Sequence, residues 1–146
     1  MTIRLSLAAA LLALATNARA DAGADFADKA AKEPGAVKTA SGLVYKSLVE
    51  GKGPQPTAAA KVLVNYEGTF IDGKVFDSSK RNGGPISFPL NRVIPCWTEG
   101  VQKMRVGGKA RLVCPPSIAY GERGAPGAIP PNSTLVFEVE LLDIAQ

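Results

Sequence analysis

From Leu43 onward the chain alternates between apolar and polar positions. Val62, Val64, Tyr66 and Phe70 fall on one side of the segment 61–70, with Lys61, Asn65, Glu67 and Thr69 largely on the other, which predicts a strand with one face against a core. Lys109 to Cys114 repeats the pattern, with Ala110, Leu112 and Cys114 opposite Lys109 and Arg111. Leu135, Phe137, Val139 and Leu141 do the same opposite Glu138 and Glu140, and Leu43–Val49 and Ile86–Leu90 are weaker strand segments. Asp72-Gly73, set between Phe70-Ile71 and Lys74-Val75-Phe76, predicts a hairpin with a two-residue type I′ turn, which needs positive φ at both central positions.

One segment has a different period. Trp97, Val101 and Met104 are spaced i, i+4, i+7 and predict a helix from about Pro95 to the Gly107-Gly108 pair. Gly100 inside it costs about 1 kcal/mol relative to alanine, and so short a helix needs a sheet to pack against. No βαβ alternation suggests a parallel sheet. The expected class is α+β: a curved antiparallel sheet of about five strands wrapped around one short α-helix. Residues 115–133, "PPSIAYGERGAPGAIPPNS", form the longest irregular stretch and hold five of the eleven prolines.

The N-terminal region reads differently. Arg4, an apolar run from Leu5 to Ala15, polar Thr16-Asn17 and Ala18-Arg19-Ala20 have the layout of a secretory signal cleaved after Ala20. The run is shorter than the ~20 residues of a spanning helix. Residues 21–40 then form a flexible or partly helical linker, and 41–146 one domain. A chain of 146 residues with 46% apolar composition suits a single core. The expected location is periplasmic or secreted, where two cysteines can pair, and the mature form has no membrane span.

Loss of Arg4 and Arg19 with the signal leaves fifteen basic residues against thirteen acidic ones. The lysines and arginines are scattered, which gives no electrostatic support for nucleic-acid binding. The chain has no histidine, so neither a Ser-His-Asp nor a Cys-His nucleophile can be built, and any catalysis rests on carboxylates, tyrosines, backbone groups and shape. No metal or other cofactor is expected.

If the helix lies in the hollow of the sheet, Trp97 floors the mouth of that hollow. Tyr66, Phe76, Val93, Ile94, Tyr120, Ile129 and Phe137 are candidate walls because they lie at strand ends or on the surrounding loops. Val62, Val64, Leu112, Leu135 and Val139 are assigned to the core. Tyr120 sits among Gly, Pro and Ala in the long loop, where a core has little to offer it.

The segments "KVLVNYEGTFIDGKVFDSS", "FPLNRVIPCWTEGVQKMRVGGKARLVCPPSIAYG" and "GAIPPNSTLVFEVELLDI" closely resemble the FKBP-type (tacrolimus-binding) peptidyl-prolyl cis-trans isomerases, especially small exported bacterial members, over about Ser41 to Ile144. The resemblance implies a half-open sheet around one helix and a cleft that accepts a proline ring. It places Tyr66, Phe76, Asp77, Val93, Ile94, Trp97, Tyr120, Ile129 and Phe137 in that cleft. Trp97 becomes the platform under the ring, while the Ile94 N–H and the Tyr120 hydroxyl bond substrate carbonyls. Asp77 stands at the edge, acting electrostatically or simply as a loop residue bonded to a nearby hydroxyl.

Several positions depart from the family pattern. Asn82 occupies the place where many members have an arginine that pairs with the aspartate, which puts that pair in doubt unless Arg81 substitutes. Ala125, Ala128 and Ile86 replace larger or aromatic residues and imply a wider rim with weaker drug binding. Cys96 replaces a common glycine. It either pairs with Cys114 or both remain buried thiols, and a bond would contribute roughly 3 kcal/mol in the chain-entropy model.

The implied activity is a rotamase: isomerisation of X-Pro bonds in exported proteins during folding, with no covalent step. The expected partners are proline-containing unfolded or partly folded polypeptides, with a macrolide such as tacrolimus or rapamycin as a second class of ligand. A holdase that keeps the cleft without useful catalysis is the alternative. A carboxylate hydrolase has no second acid at a suitable distance from Asp77.

Overall fold

A computed structural model describes residues 18–145. The expected signal segment lies outside these residues except for 18–20. Seven strands form one sheet: β1 (Ala36–Lys38), β2 (Val44–Val49), β3 (Lys61–Phe70), β4 (Val75–Ser78), β5 (Ile86–Pro89), β6 (Lys109–Cys114) and β7 (Leu135–Ala145). Their order is β1-β2-β6-β7-β3-β4, with β5 also paired to β3, and every pairing is antiparallel. The count exceeds the five expected. The three-residue β1 carries too little pattern to read, and β4, expected only as the return arm of the hairpin, is a four-residue piece beside β5 along one edge of β3.

Among the described residues, one α-helix covers each face of the sheet. The first, α1, spans residues 18–31, and the second, α2, is Pro95–Val101. On the inner face, fully buried Val62, Val64, Leu112, Leu135, Val139 and Leu141 meet Trp97, Val101 and Met104. On the outer face, Ala27 and Ala30 of α1 pack on Val44 and Val113, with Phe26 and Val136 alongside. The region expected as a flexible or partly helical linker is therefore in part a docked helix. Small alanines let α1 lie close to the sheet, and a few such contacts replace the large apolar residues a helix normally shows. Glu33, just beyond it, reaches Arg111 at 3.1 Å and Lys46 at 3.6 Å. None of the helices described is long and apolar enough to cross a membrane.

Two local expectations are corrected. The reversal at Asp72-Gly73 is not type I′, because Asp72 does not have positive φ and Gly73, at +90°, does. The Gly73 N–H donates to Phe70 O at 3.0 Å and the Phe70 N–H to Lys74 O at 2.9 Å, so a three-residue loop makes the turn and a left-handed glycine closes it. The Asp72 carboxylate accepts from the Lys74 N–H at 2.9 Å, which stabilises that alternative. Likewise, α2 ends at Val101 and not at Gly107, and separate turns carry Met104 into the core. Apolar spacing continues past the point where backbone helicity stops.

Candidate functional site

The site begins with α2. This seven-residue helix has Pro95 in its first turn, no side-chain cap, and a glycine at 100. That glycine has a steric reason, since a Cβ there would lie 2.8 Å from Leu112 Cδ2, and its absence lets the helix sit directly on β6. Cys96 is joined to Cys114 of β6 by a disulfide, with the Cα atoms 5.8 Å apart and both residues fully buried. Tight packing and a covalent tie thus fix a helix too short to hold its own shape.

The next residue is Trp97, 4% exposed. Its ring meets Tyr66, Phe88 and Phe137 edge to face, with centroids 5.3, 5.5 and 5.5 Å away. Such geometry places positive ring edges on negative ring faces. The indole N–H has no hydrogen-bond partner among the described residues. One side of this aromatic group remains open: a cleft of about 460 Å³ lies over Trp97, within the range of small-ligand sites.

Eight of the nine residues expected in the cleft line it: Tyr66, Phe76, Asp77, Val93, Ile94, Trp97, Tyr120 and Phe137. Ile129 does not. It is 5% exposed and belongs to the core cluster, held there by paired backbone hydrogen bonds with Ala125 of 2.7 and 2.8 Å. Phe88 and Arg92 line the cleft without having been expected. Phe88 was legible in part, because it shares a face with Ile86 on a short strand. Arg92 left no pattern, being one exposed cation in a 3₁₀ turn.

The walls close because β3 is thin at one point. A Cβ on Gly68 would come within 2.6 Å of Phe76 and 2.9 Å of Phe137, so only glycine lets those two rings meet, at 5.6 Å between centroids.

The polar groups differ in how fully they are used. Asp77 accepts from the Tyr66 hydroxyl at 2.7 Å, the Ser78 N–H at 2.9 Å and the Asn82 amide at 3.0 Å. Asn82 thus supplies a neutral donor where an arginine was in question, while Arg81 turns to the Phe76 carbonyl at 3.3 Å. Burial, followed by the hydrogen bond to Asp77, pushes the Tyr66 hydroxyl up to about 12, so it stays protonated and donates. By contrast, the Ile94 N–H and the Tyr120 hydroxyl make no hydrogen bond among the described residues.

Tyr120 is 41% exposed, yet its loop is ordered from within. The Gly121 N–H bonds Pro116 O at 2.9 Å, the Gly124 N–H bonds Tyr120 O at 3.1 Å, and the Asn132 N–H bonds Gly121 O at 3.0 Å.

The site is thus an aromatic floor with two donors that have no partner among the described residues and one carboxylate held by three donors. Residues 53–142 match the family model for FKBP-type peptidyl-prolyl cis-trans isomerases. The FKBP-type peptidyl-prolyl cis-trans isomerase FkpA of Escherichia coli K12 is 54% identical over 122 residues, covering 84% of this chain and 45% of that protein. The crystal structure of FkpA from Escherichia coli superposes with a TM-score of 0.87 at 50% identity, covering 95% of this chain and 65% of that one. A peptidyl-prolyl cis-trans isomerase structure from Pseudomonas syringae gives 0.83 at 40% identity, over 90% of this chain and 96% of that one. The chain belongs to the FKBP-type peptidyl-prolyl cis-trans isomerase family, and it spans about half the length of the curated relatives it matches.

Proposed function

We propose that this chain accelerates cis-trans rotation about X-Pro bonds in exported polypeptides. The observation that carries this is a cleft lined by Trp97 together with two donors that have no partner among the described residues, the Ile94 N–H and the Tyr120 hydroxyl.

Rotation about an X-Pro bond faces a barrier of ~18–20 kcal/mol because amide resonance must be broken, yet no bond is made or cleaved. The planar amide is more charge-separated than the twisted one. An apolar cleft therefore raises the planar form relative to the twisted form. Trp97 carries the proline ring and Tyr66, Phe76, Phe88 and Phe137 exclude water from it. Donors at Ile94 and Tyr120 hold the flanking carbonyls in the twisted geometry. Asp77, held by three donors, contributes a fixed field at the cleft edge and keeps Tyr66 oriented.

Export is supported by the apolar run Leu5–Ala15 with its small-residue end, and by a buried disulfide, which suits an oxidising compartment. The substrates on this reading are proline-bearing segments of unfolded or partly folded exported proteins. The same apolar floor would accept a macrolide such as tacrolimus or rapamycin, weakly where small Ala125 and Ala128 leave the rim wide.

The test is the exchange rate of a short X-Pro peptide, measured by NMR with the chain present in catalytic amount. We expect acceleration that falls steeply when Trp97→Ala and Tyr120→Ala are combined. No acceleration by the wild-type chain, or full retention in the double variant, would reject the proposal.

A further inference from the structure

We infer that Arg92 makes the cleft selective for X-Pro segments carrying a carboxylate next to the proline, an inference that rests on the isomerase reading for its substrate. The two charged residues lining the cleft are in opposite situations. Asp77 is held by three donors. Arg92 is exposed and makes no hydrogen bond or ion pair among the described residues, so the two do not neutralise each other. A guanidinium has five N–H donors in a rigid fork that fits a carboxylate in a two-point contact.

Its position is fixed by the backbone. Arg92 closes the 3₁₀ turn Leu90–Arg92, whose first residue is fully buried. The Leu90 N–H donates to Ala60 O at 2.9 Å, and Leu90 O accepts the Thr98 hydroxyl at 2.6 Å. On the other side, Ile94 O accepts from the Trp97 and Thr98 N–H groups at 3.0 and 3.2 Å. Arg92 thus stands two residues from the Ile94 N–H, which has no partner among the described residues, on a segment anchored on both sides. A chain docked on that N–H passes the guanidinium with the residues bordering its proline. A carboxylate there meets an unused cation, and a neutral amide of the same shape does not.

The experiment uses two matched peptide pairs, Glu or Gln immediately before the proline and Glu or Gln immediately after it. For wild type at low salt, we expect kcat/KM for the Glu peptide to exceed that for Gln by about two- to fivefold in one pair, the size of a partly solvated ion pair. The difference should lie in KM and shrink in high salt. Arg92→Gln should bring the ratio to one and Arg92→Glu should invert it. Quenching of Trp97, the only tryptophan, reports binding of the same peptides, so the ratio is read even if exchange is not accelerated. Wild-type ratios of one or below in both pairs, or a ratio that survives Arg92→Gln, would overturn the role of Arg92. Absence of acceleration with every peptide would instead overturn the isomerase reading.

Discussion

The floor of the cleft and its rim are built by different means. The floor is core: Trp97 and Cys96 belong to a helix tied to β6, with Leu112 against Gly100 and aromatic edges on three sides of the indole. The rim is surface: Asp77, Asn82, Arg92 and Tyr120 sit on loops and strand ends, and each is positioned by hydrogen bonds or backbone anchoring. Changes to the floor should alter stability and activity together. Changes to the rim should alter activity with little loss of stability.

The largest effect should come from Trp97→Ala. Removing a buried tryptophan costs about 3–5 kcal/mol, read by urea unfolding, and peptide exchange should fail even in the folded fraction. Next, Cys96→Ala with Cys114→Ala opens an eighteen-residue loop and should cost about 3 kcal/mol. A loss confined to activity in either variant would break the distinction between floor and rim.

Tyr66 links the two regions, because its ring touches Trp97 and its hydroxyl holds Asp77. Tyr66→Phe should cost roughly 1 kcal/mol, the net worth of one hydrogen bond. Its raised pKa gives a further check. The neutral hydroxyl is favoured by the fold, so this contribution is fully present below pH 10 and is lost as pH rises from 10 to about 12. Burial and then Glu50 also raise the Tyr45 hydroxyl, so ultraviolet titration of wild type should show two late-ionising tyrosines, of which Tyr66→Phe removes one. The smallest effect on stability belongs to Tyr120→Phe, within about 0.5 kcal/mol, although exchange should slow several-fold.

Legibility in the sequence follows the same division. Alternation in 61–70, 109–114 and 135–141 marked the inner face of the sheet because one side of each strand is buried and the other is wet. Trp97, Val101 and Met104 marked the helix for the same reason. Burial says nothing about where a helix ends or which turn closes a hairpin, so α2 was drawn too long and Asp72-Gly73 was given the wrong turn. Trp97 and seven wall residues were named from their places on strand ends and loops, the family resemblance added Asp77 and the roles, and two residues that the structure places differently are instructive. Ile129 has the right motif position but turns inward on its bridge to Ala125, whereas Arg92 has no motif at all and gains its place only from the fixed turn that carries it.

The central claim is that surroundings alone, without a nucleophile, rotate the imide bond above Trp97. Its most direct test follows one X-Pro peptide by two signals in the same sample: quenching of Trp97 for occupancy, and NMR exchange for the rate of isomerisation. The account predicts exchange many times faster than in free peptide, at a chain concentration far below that of the peptide. Clear quenching with exchange unchanged would contradict it, and would leave the cleft a binding site without catalysis.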